Sequence, residues 1–302
     1  MTAPSTPGDV AWDTIAFIVN PTSGKGEEDR SEQILDVARN LGWEGRSYRT
    51  TPDADGSSMA ERALSEGATR LVACGGDGTV MEVAQTLVGK EIELAVVPLG
   101  TGNLLSRNLD LPLEMEEAVK LALSGTATVM DCGRANDTVF LINSGIGLDA
   151  QIMSETSRDA KEKLGVFAYI LSATKYAGGR SSKFSISVDG EKARRCRAKT
   201  VFIANMGKIQ ANIALVPGTD PNDGKLNIAV IEASSPRDWL SLAFNLLRHK
   251  PHKSSGYRTL TAEKCVVTLE GKALPYQCDG NDFDPISVLK LEVIPSGITI
   301  IR

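Results

Sequence analysis

Short apolar runs alternate with amphipathic stretches along the first 125 residues. Residues 14–19 (TIAFIV), 45–49, 71–74 and 94–97 read as strands. Between them, at about 29–41, 56–66 and 80–87, apolar residues recur at helical spacing. Ile34, Leu35, Val37, Ala38 and Leu41 share one face of the first stretch. Two further helical stretches, 104–108 and 114–124, follow. Strand alternating with helix predicts an α/β layer with a mainly parallel sheet. After Thr128 the texture changes. Residues 129–134, 139–143, 184–188, 200–204, 225–231, 264–269 and 288–294 read as strands separated by turns, which predicts a mostly β domain, a sandwich or barrel-like. The expected division is 12–128 and 129–296.

Two helical insertions interrupt the β part. One is 161–176, KEKLGVFAYILSATKY. The other is 236–247, PRDWLSLAFNLL, followed by the basic run RHKPHK. A helix of the second kind could sit on an anionic bilayer, but the expectation is that it covers a sheet. No apolar run approaches the length of a membrane span.

Three polar loops follow strands. Gly75-Gly76-Asp77-Gly78-Thr79 joins an apolar strand to a helix, so free backbone N–H groups and a helix N-terminus meet there, as at an anion site. Asp77 would repel phosphate unless a divalent cation or a donor network stands between them. The other reading is an ordinary strand–turn–helix corner. Asn20-Pro21-Thr22-Ser23-Gly24-Lys25-Gly26 and Gly100-Thr101-Gly102-Asn103 are the other two loops. In a parallel sheet such loops gather at one edge, where ligands bind, so three together favour a nucleotide.

Composition narrows the class. Across 302 residues, 42% are hydrophobic and 24% charged, which is a globular balance. A net charge of -5 excludes a general nucleic-acid binder. The N-terminus has neither a basic start nor an apolar core, so a cytoplasmic location is expected. Five cysteines without a CxxC pair suggest buried, reduced thiols. His249 and His252, beside a proline in the basic run, suit a solvated loop better than zinc.

NPTSGKG at 20–26, CGGDGTVMEV at 74–83, PLGTGNLLSRNL at 98–109, NSGIGLDA at 143–150, DPNDGKLNI at 220–228 and CDGND at 278–282 occur in that order. Together they resemble the diacylglycerol kinase family, which includes sphingosine kinases and bacterial soluble lipid kinases. GGDGT alone is shared with NAD kinases. The resemblance implies an α/β ATP-binding domain, a β-rich lipid domain, a cleft between them, and a C-terminal segment, 297–302, that returns to the first domain. It implies transfer of the ATP γ-phosphate to a lipid hydroxyl with Mg²⁺. The partner is then a lipid at a membrane surface, reached peripherally from the inner face; a homodimer is left open.

The resemblance also implies site residues. ATP contacts fall on Asn20, Pro21, Thr22, Ser23, Gly24, Thr50 (or Thr51), Gly75, Gly76, Asp77, Gly78, Thr79, Val80, Met81 and Thr101. Asp220, Asp223 and Lys225 fall where relatives hold a Mg²⁺, although Asn222-Asp223-Gly224 is also a plain turn. Relatives read Asp-Gly-Glu near the end; this chain reads Asp279-Gly280-Asn281-Asp282. Asn281 is a neutral amide and no base, so Asp279 becomes the expected proton acceptor and Asp282 the expected source of the missing charge. Leu104 stands where relatives often have Asp, and Lys208 to Asn212 replaces a glycine cluster. Two alternatives accompany the kinase reading: a non-catalytic binding protein, and an NAD kinase-like enzyme.

Overall fold

The computed structural model describes residues 14–23, 30–147, 181–210 and 213–302; the helix expected at 161–176 lies outside them. The chain forms two compact units, 1–130 with 296–302, and 131–295.

In the first unit, β1 (Ile15–Val19), β2 (Arg46–Arg49), β3 (Arg70–Gly75) and β4 (Glu93–Pro98) form a parallel sheet in the order β2-β1-β3-β4. Every residue of β1 and β3 is buried. Strands covered on both faces need no polar alternation, so they read as unbroken apolar runs. Helices α1 (Ser31–Asn40) and α5 (Met115–Ser124) pack on one face around Phe17, Trp43 and Val97. Helices α2 (Gly56–Ser65) and α3 (Asp77–Leu87) pack against β1, β3 and β4. The short α4 (Leu104–Asn108) follows β4. The far end of the C-terminal strand, Thr299 and Ile300, pairs in parallel with Glu93 and Leu94 of β4.

The second unit is an antiparallel sandwich. Its strands are β5 (Ala127–Ala135) from residue 131 on, β6 (Thr138–Phe140), β7 (Asn143–Gly147), β8 (Ser182–Val188), β9 (Arg194–Ala198), β10 (Thr200–Ala204), β11 (Lys208–Gln210), β12 (Ile213–Ala214), β13 (Leu226–Ile231), β14 (Tyr257–Ala262), β15 (Lys264–Leu269), β16 (Leu274–Cys278), β17 (Asn281–Ile286) and β18 (Val288–Ile301) up to residue 295. One sheet runs β14-β13-β10-β7-β16-β17, and β18-β15-β8-β9 forms the other. Phe184, Ile186, Val267 and Leu291 of the second meet Ile146, Val201, Ile203 and Ile228 of the first. On the outer face of the six-stranded sheet, α6 (Pro236–Leu247) buries Trp239, Leu242 and Leu246 against Phe202, Ala229 and Ile231. A helix does cover a sheet here. All five cysteines lie in strands as free thiols, four of them buried, and burial pushes Cys132, Cys265 and Cys278 up to about 12.

Three expectations change. The strand expected at 139–143 is broken: β6 ends at Phe140, and β7 begins at Asn143 and runs on to Gly147. Strands β9, β14 and β17 escape the apolar pattern because polar and charged residues interrupt them, as in RRCRA and NDFDPI, and β16, LPYQC, because a proline sits inside it. β18 extends well past residue 294.

Arg70, at the start of β3, is nearly buried. Its guanidinium meets Glu93 at 2.6 Å and donates to the carbonyls of Ala122 and Leu123 at the end of α5. Arg70→Ala removes one partner of a desolvated pair and uncaps a helix end. The expected cost is about 3–5 kcal/mol, read as a lower urea midpoint for the first unit.

Candidate functional site

The first unit gathers the expected nucleotide residues at the carboxyl edge of its sheet. β3 ends at Gly75, Gly76 precedes α3 with extended backbone, and Asp77, Gly78 and Thr79 form the first turn of that helix. A Cβ on Gly75 would lie 2.6 Å from Thr79 Cβ. One on Gly100 would lie 2.8 Å from Gly76 Cα, and one on Gly102 would lie 2.6 Å from Asp77 Oδ2. These glycines let the loops interlock. Gly78 differs, because a Cβ there meets nothing within 4 Å. The first turn of α3 is therefore open at Gly78, where backbone donors can approach an anion.

The β1 loop closes on the same corner. Asn20 Nδ2 donates to Thr79 Oγ1 at 2.9 Å, and Thr22 donates to Asn20 Oδ1 through both its N–H and its hydroxyl. The Gly76 N–H donates to Ser23 Oγ at 3.3 Å. Pro21 is half-buried, Thr22 and Thr101 are exposed, and Gly24 lies outside the described residues. Thr50 is buried, its N–H bonded to Val19 O. Val80 and Met81 are buried, so their side chains serve the core.

Asp77 is the charged member of this corner. Its carboxylate accepts the N–H of Leu104 at the start of α4, so it is anchored by the 100–105 loop. Burial pushes its carboxyl up from the ordinary range, opposed by the N–H groups of Leu104, Asn103 and Leu105 and by Arg107. Asn103 supports the loop from a left-handed conformation (φ 45°), its Nδ2 donating to Gly100 O at 2.7 Å.

The second unit holds the remaining expected residues in two places. Asp220 Oδ1 accepts from the N–H and Nδ2 of Asn222, and Asp223 Oδ1 accepts the Lys225 N–H. The buried Asp131 joins this loop: its Oδ2 accepts the Gly224 N–H, and its own N–H donates to Pro221 O. Among the described residues, no three His, Cys, Asp or Glu side chains cluster as a metal site. The oxygen-only donors still suit a hard cation such as Mg²⁺.

Asp279 and Gly280 form the turn of the β16–β17 hairpin, both at positive φ (48° and 88°), the geometry Asp-Gly favours. The Asp279 carboxylate is turned onto backbone. Its Oδ1 accepts the N–H groups of Ile142 and Asn143, and its Oδ2 accepts that of Leu141, at 2.7–2.9 Å. This binding breaks the expected strand, because residues 141 and 142 give their N–H groups to a carboxylate rather than to a ladder. Beside it, Gln277 donates to Asn143 Oδ1 and accepts from the Gly280 N–H, and Asn205 Nδ2 donates to the carbonyls of Asp131 and Leu141. Asn281 and Asp282 are exposed on β17, opposite Cys278 and Gln277.

The profile of the diacylglycerol kinase catalytic domain matches residues 14–135. That of the YegS C-terminal NAD kinase beta sandwich-like domain matches 143–302. A Staphylococcus aureus protein named diacylglycerol kinase is 30% identical over 72% of this chain and 70% of its own length. A Pseudomonas aeruginosa protein named probable lipid kinase YegS-like is 32% identical over 78% and 77%. The chain belongs to the diacylglycerol kinase and YegS-like family. A Synechocystis relative, 27% identical over 83% of the chain, is matched over 62% of its own length. Among solved structures, a putative diacylglycerol kinase of Bacillus anthracis superposes with TM-score 0.80 over 96% of this chain and 95% of its own, at 22% identity. An Archaeoglobus fulgidus NAD kinase superposes with TM-score 0.54 over 95% and 93%, at 14% identity. These structures show that this family member shares their fold.

Asp131, Asn205 and Gln277 fall outside the quoted motifs, and Asn143 opens one of them without a role assigned to it. A lone Asp within the apolar run TVMDCG was the available signal, since a buried carboxylate needs a partner. For this lipid kinase homologue, Asp279→Ala leaves three N–H groups without their acceptor. The expected loss is about 3 kcal/mol or more in stability of the second unit, read by urea unfolding.

Asp77 gives a pH test. Burial raises its carboxyl in the fold, so the charged form costs stability above that raised value, and the cost vanishes below the unfolded value near pH 4. Asp77→Asn should therefore melt higher than wild type at pH 8. The difference should shrink to nothing as the pH falls through the acid range in a thermal melt series.

Proposed function

We propose that this chain transfers the γ-phosphate of ATP to a hydroxyl of a lipid, with diacylglycerol or a sphingoid-like lipid as the acceptor class. The observation that carries this reading is the open α3 N-terminus at Gly78, with hydroxyls of Thr22, Ser23 and Thr79 held around it. Helix N–H groups and hydroxyl donors suit a polyphosphate. The names of the staphylococcal and pseudomonad relatives support a lipid acceptor.

Asp77 is fixed by the Leu104 N–H, so it offers a positioned carboxylate toward the phosphates or their counterion. Mg²⁺ belongs to the proposal: bound with ATP it would neutralise phosphate charge. Asp220, Asp223, Lys225 and Asp131 would hold a second ion through carboxylate and carbonyl oxygens. For the acceptor proton we assign Asp279 Oδ2, since Oδ1 already takes two N–H groups. Oδ2 is a weak base while Leu141 donates to it. Phosphoryl transfer tolerates this, because positioning and charge stabilisation carry most of the rate.

One observation favours a second reading, a nucleotide- and lipid-binding protein without transfer. Asp279 is tied to backbone, and the adjacent Asn281 has no basic group.

The test is transfer of label from γ-labelled ATP with Mg²⁺ into diacylglycerol, sphingoid base, total lipid extract and, separately, NAD. A labelled lipid, lost in Asp77→Asn and in chelator, is the expected result. No product from folded protein that binds ATP favours the second reading, which then predicts that Asn281→Glu switches transfer on. Label in NAD alone overturns both.

A further inference from the structure

α6 buries one face and leaves another bare. Trp239, Leu242 and Leu246 are packed against the sheet, whereas Leu240, Phe244 and Leu247 are 61%, 57% and 48% exposed. At about 100° per residue the three exposed side chains fall within a sector of about 60°, so they form one stripe along the helix. Eight large hydrophobic residues are exposed among the described residues, and three of them lie in this stripe. A concentration of that kind marks a contact surface.

The charges of this segment are cationic apart from Asp238. Arg237, Arg248, Lys250 and Lys253 are exposed along the helix and the turn after it, with His249 and His252 between them. Arg237 and Arg248 fall at one edge of the stripe by the same helical spacing, and the Arg248 guanidinium lies 5.3 Å from the Phe244 ring centre. The sole carboxylate of the segment, Asp238, is occupied by Ser234, Ser235 and Ser255, which hold it down at about 2. This cationic strip stands out on a chain of net charge -5.

The strip is also rigid. The Ser235–Asp238 capping box fixes the start of α6. At its end, Asn245 bonds Ser254, the Lys250 N–H bonds Asn245 O, and Pro251 is buried beneath the cationic turn. Its apolar residues and cations are therefore presented together, with little ordering left to lose on contact.

We propose that this face of α6 docks on a bilayer containing anionic lipid, with Leu240, Phe244 and Leu247 entering the headgroup–acyl boundary and Arg237, Arg248, Lys250 and Lys253 meeting the headgroups. A second copy across a two-fold axis would set these cations against their own counterparts, which disfavours an isologous dimer. The inference rests on the lipid kinase reading for its purpose: it names the surface that brings the enzyme to its acceptor.

The experiment is co-sedimentation of the full chain with phosphatidylcholine vesicles and with vesicles of phosphatidylcholine and phosphatidylglycerol, at low and high salt. Wild type should bind the mixed vesicles, bind the neutral ones weakly, and release with salt. Leu240→Ser/Phe244→Glu, at exposed positions and with folding checked by circular dichroism, should abolish binding. Arg248→Gln/Lys253→Gln should weaken it about 20- to 30-fold, at about fivefold per cation.

Wild-type binding that ignores lipid charge, that both variants retain, or that is absent altogether overturns the proposal. So does sedimentation velocity showing a lipid-free dimer that Leu240→Ser/Phe244→Glu disperses. Transfer to acceptor in detergent micelles separates the two ideas. Variants equal to wild type in micelles and slow on vesicles support docking. Wild type that binds vesicles but transfers nothing in micelles sinks the kinase reading alone.

Discussion

Three successive N–H groups, at Leu141, Ile142 and Asn143, lie where the chain passes from β6 to β7, and all three donate to the carboxylate of Asp279. Leu141 and Ile142, where the chain bends, belong to no strand, and Asn143 opens β7. A carboxylate supplies enough acceptor capacity for all three where a neutral side chain would not. The bend in turn fixes β7 between β10 and β16 and sets Asn143 against Gln277, whose carbonyl oxygen accepts the Gly280 N–H of the same hairpin. Backbone, hairpin turn and buried amides thus form one network. A loss at any point exposes unpaired groups at the others.

The corner in the first unit works by a different economy of contacts. Gly75 is small because the Thr79 side chain presses on it, Gly100 and Gly102 because Gly76 and Asp77 do, and Gly78 is small where nothing presses. The first three explain how Asp77 comes to be enclosed at all. A side chain at residue 102 would crowd its Oδ2, and the 103–105 backbone supplies the donors of this half-buried carboxylate. Glycines in one family motif therefore serve two purposes: loop-to-loop fit and open access.

The architecture was legible where burial writes a simple pattern. β1 is apolar throughout, and β3 and β4 are apolar after their first residues, Arg70 and Glu93, because helices cover both faces; α6 has the period and end signals of its observed bounds. Strands such as β9 and β17 were not legible, since their residues alternate poorly and owe their state to pairing with distant segments. At the site, GGDGT announced a helix N-terminus, but the partner of Asp77, the backbone of Leu104, has no signature in side-chain identity. The CDGND motif was visible as a motif. That its first Asp is bound by N–H groups more than 130 residues away is a tertiary fact, and a sequence written as side chains does not display free backbone donors.

β18 supplies Thr299 and Ile300 to the edge of the parallel sheet next to β4, and Ile300 and Ile301 are buried there. During synthesis, the segment carrying GGDGT leaves the ribosome more than two hundred residues before this edge exists. The parallel sheet of the first unit therefore waits, with one flank of β4 unpaired, until residues 299 and 300 have emerged. A truncated polypeptide would thus carry the whole GGDGT motif on a sheet whose β4 edge lies open.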